Sequence, residues 1–179
     1  MKKALHNFAQ LIDRTVEGIG KLISWLSLGM VITMFAIVVL RYIFNEGSIA
    51  AQESVTYMHA TLFMLGTAYA LQQDSHVRVD IFYSKMSARK KNVVNIFGIL
   101  FLLLPTCIFI LWSSWEYVFD SWQLKESSRE AGGLPWLYVL KTTIVFMCIL
   151  LILQAIAILI KSILHINTPP GSHNTQVEQ

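Results

Sequence analysis

Residues 137–160 read LYVLKTTIVFMCILLILQAIAILI, and how that run is interpreted decides the fold. A helix needs about 20 apolar residues to cross a hydrocarbon core roughly 30 Å thick. In lipid every backbone N–H and C=O must be satisfied within the segment, so an isolated apolar run of this length reads as a transmembrane helix. Three further runs fit the same template: Leu22–Leu40, Ser54–Leu71 and Val93–Trp112. The fold class expected is therefore all-α integral membrane, with four transmembrane helices. Ser54–Leu71 is the least apolar of the four, which marks it as the helix most suited to face protein. Pro105 removes one backbone donor from the third run, predicting a kink or local loosening over Phe101–Pro105.

Composition agrees. Of 179 residues, 55% are hydrophobic and only 14% charged, where a soluble domain carries about 25% charged residues. Once four spans are placed in lipid, residues 1–166 form one membrane domain with little left for a soluble catalytic core, so no enzyme is expected. The formal net charge of +3 is carried by cations at the ends of apolar runs rather than on a polar face, which argues against nucleic acid as a partner. Cys107 and Cys148 both lie inside apolar runs, where a thiol acts as a small hydrophobe.

Those cations set an orientation, because cytoplasmic loops carry the excess of Lys and Arg. Lys2, Lys3, Arg14, Lys21, Arg78, Lys85, Arg89, Lys90, Lys91 and Lys161 fall on one side. Arg41, Lys125, Arg129 and Lys141 fall on the other, diluted by Glu116, Asp120, Glu126 and Glu130. Both termini are thus expected in the cytoplasm. Trp112, Trp115, Tyr117, Trp122, Trp136 and Tyr138 gather at the opposite level as an aromatic belt. Before the first span, Leu5, Phe8, Ile12, Val16 and Ile19 recur every three or four residues with polar residues between them. Residues 1–21 are therefore expected to form an amphipathic helix lying in the interface against membrane lipids. The Pro-, Gly- and polar-rich stretch 167–179 is expected to be a disordered cytoplasmic tail.

The spans offer little chemistry. His59 is the one ionisable residue well inside an apolar run, and a helix-to-helix contact is its plainest role. Haem would call for paired histidines on facing helices, but His6, His76, His165 and His173 lie outside the runs, so no cofactor is expected. His76 and Asp80 could share a helical face as two metal ligands, yet Arg78 lies between them and a site needs three or four. None of the runs holds a carboxylate of the kind a self-sufficient carrier would use. Gln154, Thr33, Thr61 and Thr67, with Gly66 and Ala70 four apart, have the character of helix-packing positions. Gly132 and Gly133 form a turn feeding the fourth span.

Four stretches together resemble a known family. RYIFN (41–45) closes the first span, an acidic residue opens the second, GTAYALQQDSHVRVD (66–80) follows, and GGLPWLYVLK (132–141) opens the fourth. This pattern resembles the small membrane subunit of tripartite ATP-independent periplasmic (TRAP) transporters over roughly residues 22–161. One departure is AAQE (50–53), where the family commonly has a Trp and two acidic residues, so Glu53 alone stands for the acidic pair. The resemblance implies a multi-pass protein of the bacterial inner membrane. It would scaffold a large elevator-type subunit that takes up an organic-acid anion with sodium, delivered by a periplasmic binding protein. Arg41, Asn45, Glu53, His76, Arg78, Asp80 and Lys141 would then be residues that brace the chain or its partner subunit, and Glu126 and Glu130 would meet the binding protein. HVRVD (76–80) reads as such a brace or as a solvated charged loop. The region from Ser113 to Pro135 looks most like the branch associated with 2-oxo acids, with dicarboxylates and sialic acid left open. Two other classes, a self-sufficient small carrier or exporter and the membrane anchor of a redox enzyme, would be distinguished by uptake from the chain alone and by a Soret band.

Overall fold

The computed structural model describes residues 2–73, 86 and 88–166, and the described residues are helical with no strand. Helix α1 runs Lys2–Ile43, α2 Ile49–Gln72, α3 Ala88–Gly98, α4 Leu104–Gln123 and α5 Leu137–Ile166. A π-helical turn, Ile99–Leu103, joins α3 to α4 without a break. The chain doubles back between α1 and α2 and between α4 and α5. One end of the bundle therefore carries the start of α1, the end of α2 and the end of α5. The other carries the α1–α2 and α4–α5 connections. These are the terminal end and the loop end.

Among the described residues, three stretches are long and apolar enough to cross a membrane: Lys3–Ile43, Lys90–Gln123 and Leu137–Leu164. The helix over the expected second span, α2, is 24 residues long. It is more polar than the other three because Gln52, Glu53, Thr56, His59 and Thr61 interrupt its apolar residues. The most enclosed helix is α5, which packs against each of the other helices and the π-turn. Ala9, Ile12 and Val16 of α1, Ala68 of α2, Cys107 of α4, and Leu150, Leu151 and Ala157 of α5 form one buried cluster. Both cysteines are free and buried, matching their reading as small hydrophobes.

The expected boundary between a surface helix at 1–21 and a span starting at 22 is absent, since 42 residues form one uninterrupted α1. At 1.5 Å per residue that helix is roughly 63 Å long, about twice the hydrocarbon thickness. Nothing in the sequence at 19–23 stops a helix, because Gly20 serves packing rather than a cap. A Cβ there would lie 2.5 Å from the Tyr69 ring, so only glycine lets α1 and α2 approach so closely. The amphipathic face divides between two surroundings. Ile12 and Val16 are buried against protein, while Leu5, Phe8 and Leu11 remain exposed.

Pro105 acts as its chemistry requires. Lacking an N–H, it cannot bond the carbonyl of Phe101, and the preceding turn widens so that Leu104 N–H reaches Ile99 O, five residues back. The loosening expected over 101–105 is this π-turn, which begins two residues earlier. Helix α1 closes on Asn45, whose φ of 54° is the left-handed conformation that terminates helices. Phe44 N–H and Glu46 N–H then both bond Leu40 O at 3.1 Å, so the chain folds back over the last turn of the helix.

Candidate functional site

At the loop end, Glu53 reaches from the first turns of α2 across to the α4–α5 connection. Its Oε1 accepts from the Ser128 hydroxyl, and its Oε2 accepts from Leu134 N–H at 2.6 Å. Gly132, with φ +81°, and Gly133 form the turn between those anchors. A side chain at 133 would collide with Ser128 and with the Glu53 carboxylate, so glycine is needed for the loop to close on the acid. The Ser128 hydroxyl, followed by Leu134 N–H, stabilises the charged carboxylate and holds Glu53 below the ordinary carboxylate range.

A second tie lies beside the first. Glu126 accepts from Lys141 of α5 and, at 2.7 Å, from the Ser121 hydroxyl of α4. Those contacts, Lys141 first, hold Glu126 below its usual range. The Lys141 ammonium also sits 3.8 Å from the centre of the Tyr117 ring, a cation–π contact. Trp122 Nε1 donates to Thr142 Oγ1 at 2.8 Å while its ring meets Tyr138 edge-on at 4.6 Å. The expected aromatic level thus contains internal joints as well as exposed rings such as Trp112, which is 83% exposed.

At the terminal end a single residue gathers three helices. Asp13 of α1 accepts from Gln154 Nε2 at 3.1 Å and from Lys161 Nζ, both on α5. Its backbone carbonyl accepts from Gln72 Nε2 of α2 at 2.8 Å. Gln154 and Lys161 are seven residues apart, two helical turns, and so face the same neighbour. Gln154 is 1% exposed, and its Oε1, like that of Gln72, has no donor among the described residues. Gln154 is thus the interhelical contact its sequence position suggested. Thr67 is not, because its hydroxyl turns back to Phe63 O at 2.7 Å.

Of the residues singled out in sequence, Glu53 is bonded within the chain to Ser128 and Leu134, and Lys141 to Glu126. Asn45 ends a helix, and Arg41 stands exposed in the last turn of α1, where a cation suits the helix dipole. Glu130 is exposed in the loop, whereas Glu126 faces Lys141 and Ser121 rather than standing free for a partner. His76, Arg78 and Asp80, together with the tail 167–179, lie outside the described residues. Sequence reasoning missed Asp13, whose signal was faint: one acid in a polar face otherwise open to solvent. Among the described residues no group of three or more His, Cys, Asp and Glu could hold a metal ion.

The profile of the DctQ component of tripartite ATP-independent periplasmic transporters matches residues 30–165. The chain is 27% identical over 96 residues to the C4-dicarboxylate TRAP transporter small permease protein DctQ of Vibrio cholerae, covering 54% of this chain and 41% of that one. It is 30% identical over 111 residues to a Haemophilus influenzae protein whose name assigns it provisionally to the TRAP transporter small permeases, covering 62% of this chain and 66% of that one. The match therefore spans less than half the length of the first relative and about two thirds of the second. No solved structure matches. With three quarters of its length inside the family profile, the chain belongs to the DctQ family, the small-permease component of TRAP transporters.

Proposed function

We propose that this small permease component scaffolds a large elevator-type membrane subunit during sodium-coupled uptake of an organic-acid anion delivered by a periplasmic binding protein. The observation that carries the reading is where the ionisable side chains go. Glu53, Glu126, Lys141, Asp13 and Lys161 are engaged within the chain in tying a loop or a helix, which is what a stationary support requires. An elevator works only if one part stays fixed while the other slides, and added helices enlarge the fixed part's footprint in lipid. Substrate choice then rests with the other components. The name of the Vibrio relative points to C4-dicarboxylates for that protein, and the class proposed here is the organic-acid anion in general.

In this reading α2 is the fourth crossing. Its 24 residues give roughly 36 Å of helix, more than the hydrocarbon core needs, and it packs against both α1 and α5. The distribution of Lys and Arg supports a terminal end in the cytoplasm of the inner membrane, with the loop end facing the periplasm. A single cysteine at Ser127 should then react with an impermeant thiol reagent added outside intact cells, and one at Ser172 should not. Labelling in the reverse sense would invert the orientation.

Reconstitution tests the function. The chain alone in liposomes should give no sodium-driven uptake, and adding the large subunit and binding protein should restore it. Uptake by the chain alone would refute the support role. Arg78 and Asp80 belong to the same proposal as a brace: alanine at either should weaken recovery of the large subunit, and the double change should cost less than the two singles combined.

A further inference from the structure

We infer that the outward face of α2, the stripe formed by Gln52, Thr56, His59 and Phe63, is the surface on which the large membrane subunit docks. The inference rests on the scaffold reading above and names the surface that serves it. These residues are spaced by four, three and four, which places them on one face of a helix, and all are exposed. His59 lies ten residues into α2, roughly 15 Å from its start, close to the middle of a bilayer core about 30 Å thick. Its ring stacks on Phe63, 6.4 Å between centroids, and its nitrogens have no hydrogen-bond partner among the described residues.

The equivalent stripe on α1 shows what a lipid-facing surface looks like in this protein. Trp25, Leu28, Ile32 and Phe35, spaced by three, four and three, are 70%, 50%, 60% and 70% exposed. All four are apolar. The exposed serines of that helix, Ser24 and Ser27, turn their hydroxyls back onto backbone carbonyls at 2.7 and 2.6 Å. Thr56 behaves similarly, bonding Gln52 O at 3.4 Å, and Gln52 lies near the interface, but the mid-depth imidazole of His59 cannot be silenced in either way. Hydrocarbon offers the His59 ring nitrogens nothing, and an unpaired polar group there is costly. A neighbouring transmembrane helix can supply a hydroxyl, carboxamide or carboxyl opposite His59 and an apolar seat for Phe63. A helix of the large subunit is the occupant that the three-part architecture of the family offers at this depth.

The test uses the assembled complex in native membranes, with the large membrane subunit carrying an affinity tag. Photoreactive benzoylphenylalanine replaces His59 or Phe63 on the stripe, and Phe35 on α1 as the lipid-facing control. Irradiation should link positions 59 and 63 to the large subunit and leave position 35 unlinked. In parallel, His59→Leu should lower recovery of the large subunit about fivefold to tenfold, with His59→Gln restoring part of it. Melting of the variant chains alone serves as the folding control. Links from position 35 but not 59 or 63, with the subunits still recovered together, would overturn the stripe and leave the scaffold reading standing. Links from 59 to a second copy of this chain would overturn the choice of occupant. Failure of the unsubstituted chain to bring down the large subunit would overturn the scaffold reading and the stripe with it.

Discussion

At one end of the bundle Asp13 ties three helices to each other; at the other Glu53 ties a loop to a helix. The two carboxylates make similar bonds with different reach. Asp13 joins residues 141 and 148 positions away, so losing it loosens the relation of whole helices. Glu53 is flanked by a network that does not depend on it: Glu126 with Ser121 and Lys141, and Trp122 with Thr142. The lesson is that redundancy separates the two ends. In lipid the hydrophobic effect does little to hold helices together, so packing and a few interhelical hydrogen bonds set the arrangement.

The sharpest way to break this comparison is Asp13→Ala. It strands the Nε2 donor of a Gln154 that is 1% exposed, and the cost should be about 1–3 kcal/mol. A lower melting temperature in detergent is the readout. Asp13→Ala combined with Gln154→Leu should recover part of the loss, because the stranded donor is then gone as well. An Asp13→Ala chain that melts like the parent would mean the terminal end is as redundant as the other.

Glu53→Ala comes next. It should speed amide exchange at Leu134 roughly tenfold, the scale expected when a charge-assisted hydrogen bond is lost, while moving the melting temperature less than Asp13→Ala does. Equal melting shifts for the two variants would erase the distinction between tying helices and tying a loop.

Acidification makes the same cut without a mutation. Because its folded pKa is depressed by Ser128 and Leu134, Glu53 contributes fully above the unfolded carboxylate's pKa, about 4.3. That contribution is lost as pH falls through the lower folded value. Glu126, depressed chiefly by Lys141, should behave alike. The protection of the Leu134 amide relative to its intrinsic exchange rate at each pH should therefore fall below about pH 4 and stay flat from pH 6 to 8, and a loss of protection confined to neutral pH would contradict the assignment. The smallest effect should come from Lys141→Met. Ser121 still holds Glu126, and Trp122 still holds Thr142, so only a slight change in tryptophan emission is expected.

Much of this was legible in the sequence because lipid imposes a one-dimensional rule: about 20 apolar residues make a crossing, and Leu137–Ile160 could hardly be anything else. The effect of Pro105 was equally local and was located within two residues. What escaped was pairing at a distance. Nothing within a helical turn of Asp13 announces that its partners sit on the last helix. Glu126, one of four acids set among exposed-looking neighbours, gave no sign that Lys141 would fold back to it across the turn. The continuity of α1 was hidden for a related reason. A change from polar to apolar composition near residue 22 marks a change of surroundings, and the backbone passes through it unbroken.

The π-turn at Ile99–Leu103 also acts as a phase corrector. In an uninterrupted α-helix Ile99 and Cys107, eight residues apart, would point about 80° away from each other. The wider turn absorbs one extra residue, about 100° of rotation, and brings them to within about 20°. Both are in fact buried, Ile99 at 7% and Cys107 at 3% exposure, and Val118, eleven residues further on, keeps the same heading. One proline thus sets the angle at which the whole of α4 meets α5. Remove one residue from 99–103 while restoring a donor at 105, and a straight helix would deliver the same faces. Change only one of the two, and Cys107, Val118 and Ser121 would swing toward lipid together.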